Sequence, residues 1–374
     1  MRWFANIYRL GVKEILSLLR DPVMMGLIAY AFTFAIYSVA TGVRTDLRNA
    51  SIAIVDEDRS ELSTRIVGAF LPPYFKAPAM IDLPAVDPAM NAGRYTFVLD
   101  IPPGFEADVL AGRRPVAQLN VDATAMTIAG NGVDYITGIV NTEMVKFVNR
   151  SSGAVALPVD LRARAKFNPN LDSSWFMAMM QIIENLTILA IVLGGAAVIR
   201  EREHGTIEHL LVMPVSSSEI MLAKILSNGL VIVVAAVLSL LVVVEGLLGV
   251  PIAGSVVLFA SGSAMYLFAV IALGIAMSTV ATTMPQFGLL SIPVFVVMNL
   301  LSGALTPVES MPTTLQYAVQ VLPSTHFIRF AQAVLQRGAG IEIVWPHLAV
   351  TAAIGAAFFA LALIRFKATL ASVK

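Results

Sequence analysis

The chain has no cysteine. Disulfides, zinc–thiolate sites, iron–sulfur clusters and thiol nucleophiles are therefore excluded. Charge is scarce as well. Asp, Glu, Lys and Arg make up 13% of the 374 residues, about half the roughly 25% of an ordinary soluble domain. The 25 basic and 25 acidic side chains cancel, so nothing points to a nucleic-acid partner. Catalytic signatures are missing too. The sequence has no G-x-x-x-x-G-K-[ST] loop for nucleotide phosphates and no G-x-S-x-G elbow. The four histidines are His204, His209, His326 and His347. His204 and His209 do not form H-E-x-x-H, so a zinc protease is not expected. Asp56-Glu57-Asp58 is read as a solvated strand-to-helix turn rather than a cation site.

Apolar residues, in contrast, reach 57%. That is too much for one soluble core and makes a polytopic membrane protein the expected class. A span needs about 20 mostly apolar residues. Six stretches qualify: Pro22–Gly42, Trp175–Ile199, Ile220–Val244, Ala253–Val280, Phe287–Gly303 and Trp345–Ile364. Ser38-Val39-Ala40 looks like a signal-peptide cleavage site, but the first run is longer than a signal core and about twenty residues precede it. An uncleaved anchor is expected.

The placement of Lys and Arg sets the expected orientation. Arg2, Arg9, Lys13 and Arg20 precede the first span, Arg200, Arg202 and Lys224 flank the second–third loop, and Arg365, Lys367 and Lys374 follow the sixth. With six spans these segments share one side, which would be cytoplasmic, with both termini. Residues 245–252 carry no basic residue, and 304–344 only Arg329 and Arg337. The thirteen basic residues in 43–174 do not vote, because long domains translocate regardless of charge.

The fold expected is a mainly α membrane protein with four regions. Residues 1–21 form a cytoplasmic interfacial helix. Residues 22–42 form the first transmembrane helix. Residues 43–174 form an α+β domain on the outer side, inserted between the first and second spans. Residues 175–374 form a five-helix transmembrane region with a cytoplasmic segment at 200–218 and a re-entrant segment on the outer side at 304–344. In the first region Arg2, Arg9, Lys13 and Arg20 are spaced 7, 4 and 7 apart, so at about 100° per residue they share one stripe. With Trp3, Phe4, Ile7, Ile15, Leu18 and Leu19 they predict a helix lying on lipid. In the inserted domain, strands are predicted at Ser51–Asp56, Tyr95–Leu99, Val116–Val121 and Leu161–Phe167. Helices are predicted at Ser60–Val67, Gly104–Leu110 and Gly132–Val148. In 304–344, short helices are predicted at Thr313–Val321 and Phe327–Leu335.

The second–third loop holds the densest charge beside a span: Arg200-Glu201-Arg202-Glu203-His204-Gly205-Thr206-Ile207-Glu208-His209-Leu210-Leu211-Val212-Met213-Pro214. Thr206 can cap a short helix after Gly205, and Pro214 can end it. A partner-docking rod and an ordinary solvated loop both fit this composition. The segment resembles the coupling segment of type-2 ATP-binding-cassette (ABC) transporter permeases, whose pattern is near E-[KR]-E-x-G-T-x-E-x-L-x-x-[ST]-P. Met213 stands where Ser or Thr is usual. Val98-Leu99-Asp100-Ile101-Pro102-Pro103-Gly104-Phe105 resembles the external-domain turn of long-insert members. Leu301-Ser302-Gly303-Ala304-Leu305-Thr306-Pro307, with Met311-Pro312 and Leu322-Pro323, resembles the segment before their last span.

The resemblance implies a permease subunit of an exporter for drugs or other amphiphiles in the bacterial inner membrane. Two such subunits, identical or paralogous, would form the pathway. Separate ABC ATPase subunits would bind ATP and Mg and drive alternating access, while this chain binds no cofactor. A periplasmic adaptor is used by some members. Carried over as ATPase-coupling residues are Glu201, Glu203, Gly205, Thr206, Glu208, Leu210 and Pro214. Membrane lipid is the expected partner of Arg2, Arg9, Lys13 and Arg20. Within the spans, Glu184 with Gln181 and Asn185, and Asn299 nearer an outer end, are read as pathway or packing residues. Pro293 is read as a bend. A competing reading is a non-transporting scaffold or sensor whose external domain binds a ligand or envelope protein.

Overall fold

The computed structural model describes residues 2–42, 47, 49–122, 126–151, 167–168, 172–203, 215–304 and 306–371. The segment 204–214 lies outside them, as does the strand predicted at Leu161–Phe167 apart from its last residue. Helix α1 is Arg2–Leu19, and α2 is Pro22–Gly42. Asp21 caps α2 by accepting from the N–H groups of Val23 and Met24. Pro22 takes the first helical position, where an N–H would have no partner in any case. One wide, π-type turn interrupts α2 at Ala31–Ala35.

There follow β1 (Ile52–Asp56), α3 (Glu61–Gly68), β2 (Ala79–Met80), α4 (Val86–Asn91), β3 (Phe97–Ile101), α5 (Phe105–Leu110), β4 (Gln118–Val121) and α6 (Met126–Ser151). The rest is α7 (Ser173–Glu203), α8 (Ser217–Leu247), α9 (Val256–Ser278), α10 (Met284–Leu300), α11 (Thr313–Ala318), α12 (Pro323–Leu335) and α13 (Ile341–Ala371). The chain divides into two compact units, one of Met1–Val43 with Ser174–Lys374 and one of Arg44–Ser173.

The inserted unit is a four-stranded mixed sheet in the order β2-β1-β3-β4. Strand β1 runs parallel to β2 and β3, and β4 is antiparallel to β3. Alternate residues of the central strands enter two cores, as a strand's period of two requires. Ile52, Ile54, Phe97, Leu99 and Ile101 pack with Leu62, Phe105, Ile136 and Phe147. Ala53, Val55 and Val98 pack with Val86. Burial on both faces explains why β1 reads as an unbroken apolar run. Ser60 caps α3 in a reciprocal capping box with Ser63. The 56–58 run is spent on loop geometry. Asp56 accepts from Arg59 N–H and the Ser63 hydroxyl, and Asp58 from Glu106 N–H.

In the helical unit, five helices are long and apolar enough to cross a membrane: α2, α7, α8, α9 and α13 up to Ala368. Helix α10, the fifth expected span, is apolar but has 17 residues and contains Pro293. Helix α7 is the most deeply buried of the five. It meets α9 where a Cβ on Gly274 would stand 2.7 Å from the Ile191 carbonyl oxygen, and one on Gly194 would stand 2.9 Å from that of Ile271. Small residues at such a crossing let backbones approach. Tyr266 of α9 stacks on Phe327 of α12 at 4.2 Å and shares a 2.7 Å hydrogen bond with Thr187 of α7. Between α10 and α13 the two predicted short helices appear as α11, extended by a 3-10 turn at Val319–Val321, and α12.

Candidate functional site

The last turn of α7 carries four consecutive charged residues, Arg200, Glu201, Arg202 and Glu203. Consecutive helical residues point about 100° apart, and here each side chain reaches a different element. Arg200 donates to Asp21 between α1 and α2 at 3.0 Å. Glu201 accepts from Lys224 of α8 at 2.7 Å. Arg202 donates to the Ala281 carbonyl between α9 and α10 at 2.8 Å. Glu203 accepts from Met284 N–H, the first residue of α10, at 3.0 Å, where a carboxylate also suits the helix dipole.

Lys224 is the hub of this array. Its side chain is 2% exposed, and its ammonium also donates to Glu14 of α1 at 2.9 Å and to the Ala197 carbonyl at 3.4 Å. One buried cation thus joins α1, α7 and α8. Two further contacts fasten α1 to α8: Asn6 donates to Glu219 at 3.1 Å and Ser227 to the Gly11 carbonyl at 3.0 Å. A cavity of about 170 Å³ lies beside the hub, lined by Lys13, Glu14, Ser17, Arg200, Glu201, Lys224 and Asn228 together with Leu18, Leu193 and Ala197. Hydrogen bonds from Met24 N–H foremost, with Arg200 and Val23 N–H adding to them, hold the Asp21 carboxyl below its usual range against the opposing pull of burial.

Of the coupling residues expected from sequence, Glu201 and Glu203 are placed here, turned toward Lys224 and α10. Gly205, Thr206, Glu208, Leu210 and Pro214 lie outside the described residues. Arg2, Arg9, Lys13 and Arg20 are all exposed along α1. Beside them Phe4, Tyr8, Val12, Leu16 and Leu19 form an exposed apolar stripe, while Leu18 is buried. The polar group within the spans divides. Gln181 donates to Asn185, and Asn185 donates to the Ala31 carbonyl at 2.5 Å, in the wide turn of α2. Glu184 instead lines a cleft with Asn299.

Sequence reasoning missed the partnership of Glu14 and Lys224. The usable signal was a lysine inside an otherwise apolar helix, since a buried ammonium demands carboxylates.

The family described as "ABC-2 family transporter protein" matches residues 22–364. This chain belongs to the type-2 ABC transporter permeases. It is 52% identical over 373 residues to the Inner membrane transport permease YhhJ of Escherichia coli (strain K12), covering 100% of both chains. The Probable multidrug ABC transporter permease YbhR of the same organism is 28% identical over 372 residues, 96% of this chain and 98% of the relative. The Probable multidrug ABC transporter permease YbhS is 24% identical over 340 residues, 90% and 89% of the two chains. The permease is thus a membrane protein whose family works with ABC ATPase subunits.

Proposed function

We propose that this permease is the membrane subunit of an ATP-driven exporter for amphiphilic or drug-like molecules. Separate ATPase chains would supply the work through the 204–214 segment. The observation that carries this reading is the array at the end of α7. The residues immediately before that segment are bonded to α1, α8, the α9–α10 loop and the start of α10. A push on 204–214 therefore reaches several membrane helices at once, as alternating access requires. The names of the relatives support transport and, through YbhR and YbhS, multidrug substrates.

In this reading α10 is a sixth span. Its 17 residues rise about 26 Å at 1.5 Å each, the short end of what spans a bilayer. The inserted unit then lies in the periplasm and both termini in the cytoplasm of the bacterial inner membrane. A second permease completes the pathway, and an adaptor can meet the periplasmic unit.

The test is purification from native membranes in mild detergent, followed by reconstitution of whatever ATPase co-purifies. Lys224→Met should weaken the dependence of transport on hydrolysis, leaving ATP turnover less responsive to substrate. Co-purification without any ATPase would sink the reading, provided a control ABC complex survives the same handling.

A further inference from the structure

Glu184 sits on α7 in a cleft also lined by Met180, Phe295, Met298, Asn299 and Ser324. Among the described residues no hydrogen bond or ion pair engages its carboxylate, and no Lys or Arg lines the cleft. Two of the three hydroxyls that line the cleft are already engaged. Thr187 is bonded to Tyr266 and to the Ile183 carbonyl, and Ser302 to the Asn299 carbonyl. Ser324, 2% exposed, has a hydroxyl without a partner among the described residues. A carboxylate within a span costs several kcal/mol by most scales unless it meets a counter-charge or water.

The walls suit one kind of counter-charge. Thioethers are polarizable and adapt to varied shapes, and an aromatic face attracts a cation. A lone carboxylate supplies the opposite charge. From this juxtaposition we infer that the cleft is a binding site for hydrophobic organic cations, with Glu184 as the charge-recognising residue and Met180, Met298 and Phe295 as the apolar walls. This deepens the exporter reading and rests on it for the direction of movement. The cleft is narrow. Its free space is about 20 Å³, room for one water, so a guest must part α10 and α12 from α7. Pro293 removes one backbone N–H from α10 and leaves a point where that helix bends at low cost.

The probe is tetraphenylphosphonium, with tetraphenylborate as its anion of matching shape, titrated against the full-length permease in lipid nanodiscs. The phosphonium should bind saturably. Glu184→Gln should weaken it about tenfold or more, the loss of one charge-assisted contact, while Glu184→Asp should retain binding. Tetraphenylborate, titrated by itself because it pairs with the phosphonium in a mixture, should not bind saturably. Equal phosphonium binding by Glu184→Gln and the parent would overturn the site, as would saturable binding of tetraphenylborate alone as tight as that of the phosphonium. If Glu184→Gln does not purify as a folded protein, the cation–anion comparison on the parent decides alone. The two readings fail differently. An ATPase-coupled permease without charge-selective binding removes the cation site and leaves the exporter. Charge-selective binding without any ATPase supports the site and removes the exporter.

Discussion

Replacing Lys224 with Met leaves Glu14 and Glu201 sharing a buried spot without the ammonium that both accept from. Breaking a buried ion pair from one side costs about 3–5 kcal/mol, because the remaining charge is uncompensated. A clear fall in the unfolding temperature of the purified permease is expected. Adding Glu201→Gln to Lys224→Met should recover part of the loss. A single variant as stable as the parent would show that the hub holds nothing together. Asp100 is a second residue-scale case. One of its carboxylate oxygens is buried without a partner among the described residues, and burial pushes its carboxyl above the usual range. The folded state therefore holds that proton more tightly than the unfolded chain. The penalty is absent below the ordinary carboxylate value and appears as pH rises through the raised one. Asp100→Asn should stabilise the inserted unit at neutral pH and flatten the pH dependence of its unfolding. An unchanged pH profile would remove burial as the cause.

At the scale of elements, the α7–α9 crossing leaves no room for a side chain. A Cβ on Gly274 would meet a backbone oxygen at 2.7 Å, and a backbone cannot rotate away. Gly274→Leu should abolish recovery of folded protein. Gly288→Ala in α10, where nothing lies within 4 Å of the added carbon, should be tolerated. Helix α1 allows a different experiment. A peptide of residues 2–20 should bind vesicles containing anionic lipid, losing roughly 1 kcal/mol for each Arg→Gln change on the stripe and weakening in salt. Equal binding to neutral vesicles would reject the basic stripe as the cause.

Elements were legible in the sequence where one physical signal dominated. Hydrophobic length marked the long helices, the apolar run marked β1, and the start of α3 was legible as a cap at Asp58 or Ser60, of which the structure uses Ser60. The two-residue β2 and the short α4 carry too little pattern to stand out, and α4 contains Pro88. Glu201 was picked out by its motif but not by its contact. Lys224 is 23 positions away and Glu14 is 210 positions from Lys224, and no local periodicity links residues so far apart. Gln181, Glu184 and Asn185 looked like one polar group. The helix turns Asn185 toward α2 and Glu184 toward the cleft, a division that only packing decides.

For the whole molecule, the division into two compact units with separate cores predicts two separable events on unfolding. Chemical denaturation in detergent should give a transition for the sheet-containing unit distinct from that of the helical unit, and the Asp100→Asn change should move only the former. A single shared transition would mean that the units are energetically fused. The hub at Lys224 also bears on how the protein is made. Ribosomes extend chains at about 5–20 residues per second, and Glu14 precedes Lys224 by 210 positions. Helix α1 therefore leaves the ribosome roughly 10–40 seconds before its partner exists. Through that interval Glu14 lacks the buried partner that it has in the folded protein, and the inserted unit is synthesised in between. The ammonium–carboxylate knot therefore closes only once α8 has been made, so the anchoring of α1 to α8 is a late event in the assembly of the helical unit.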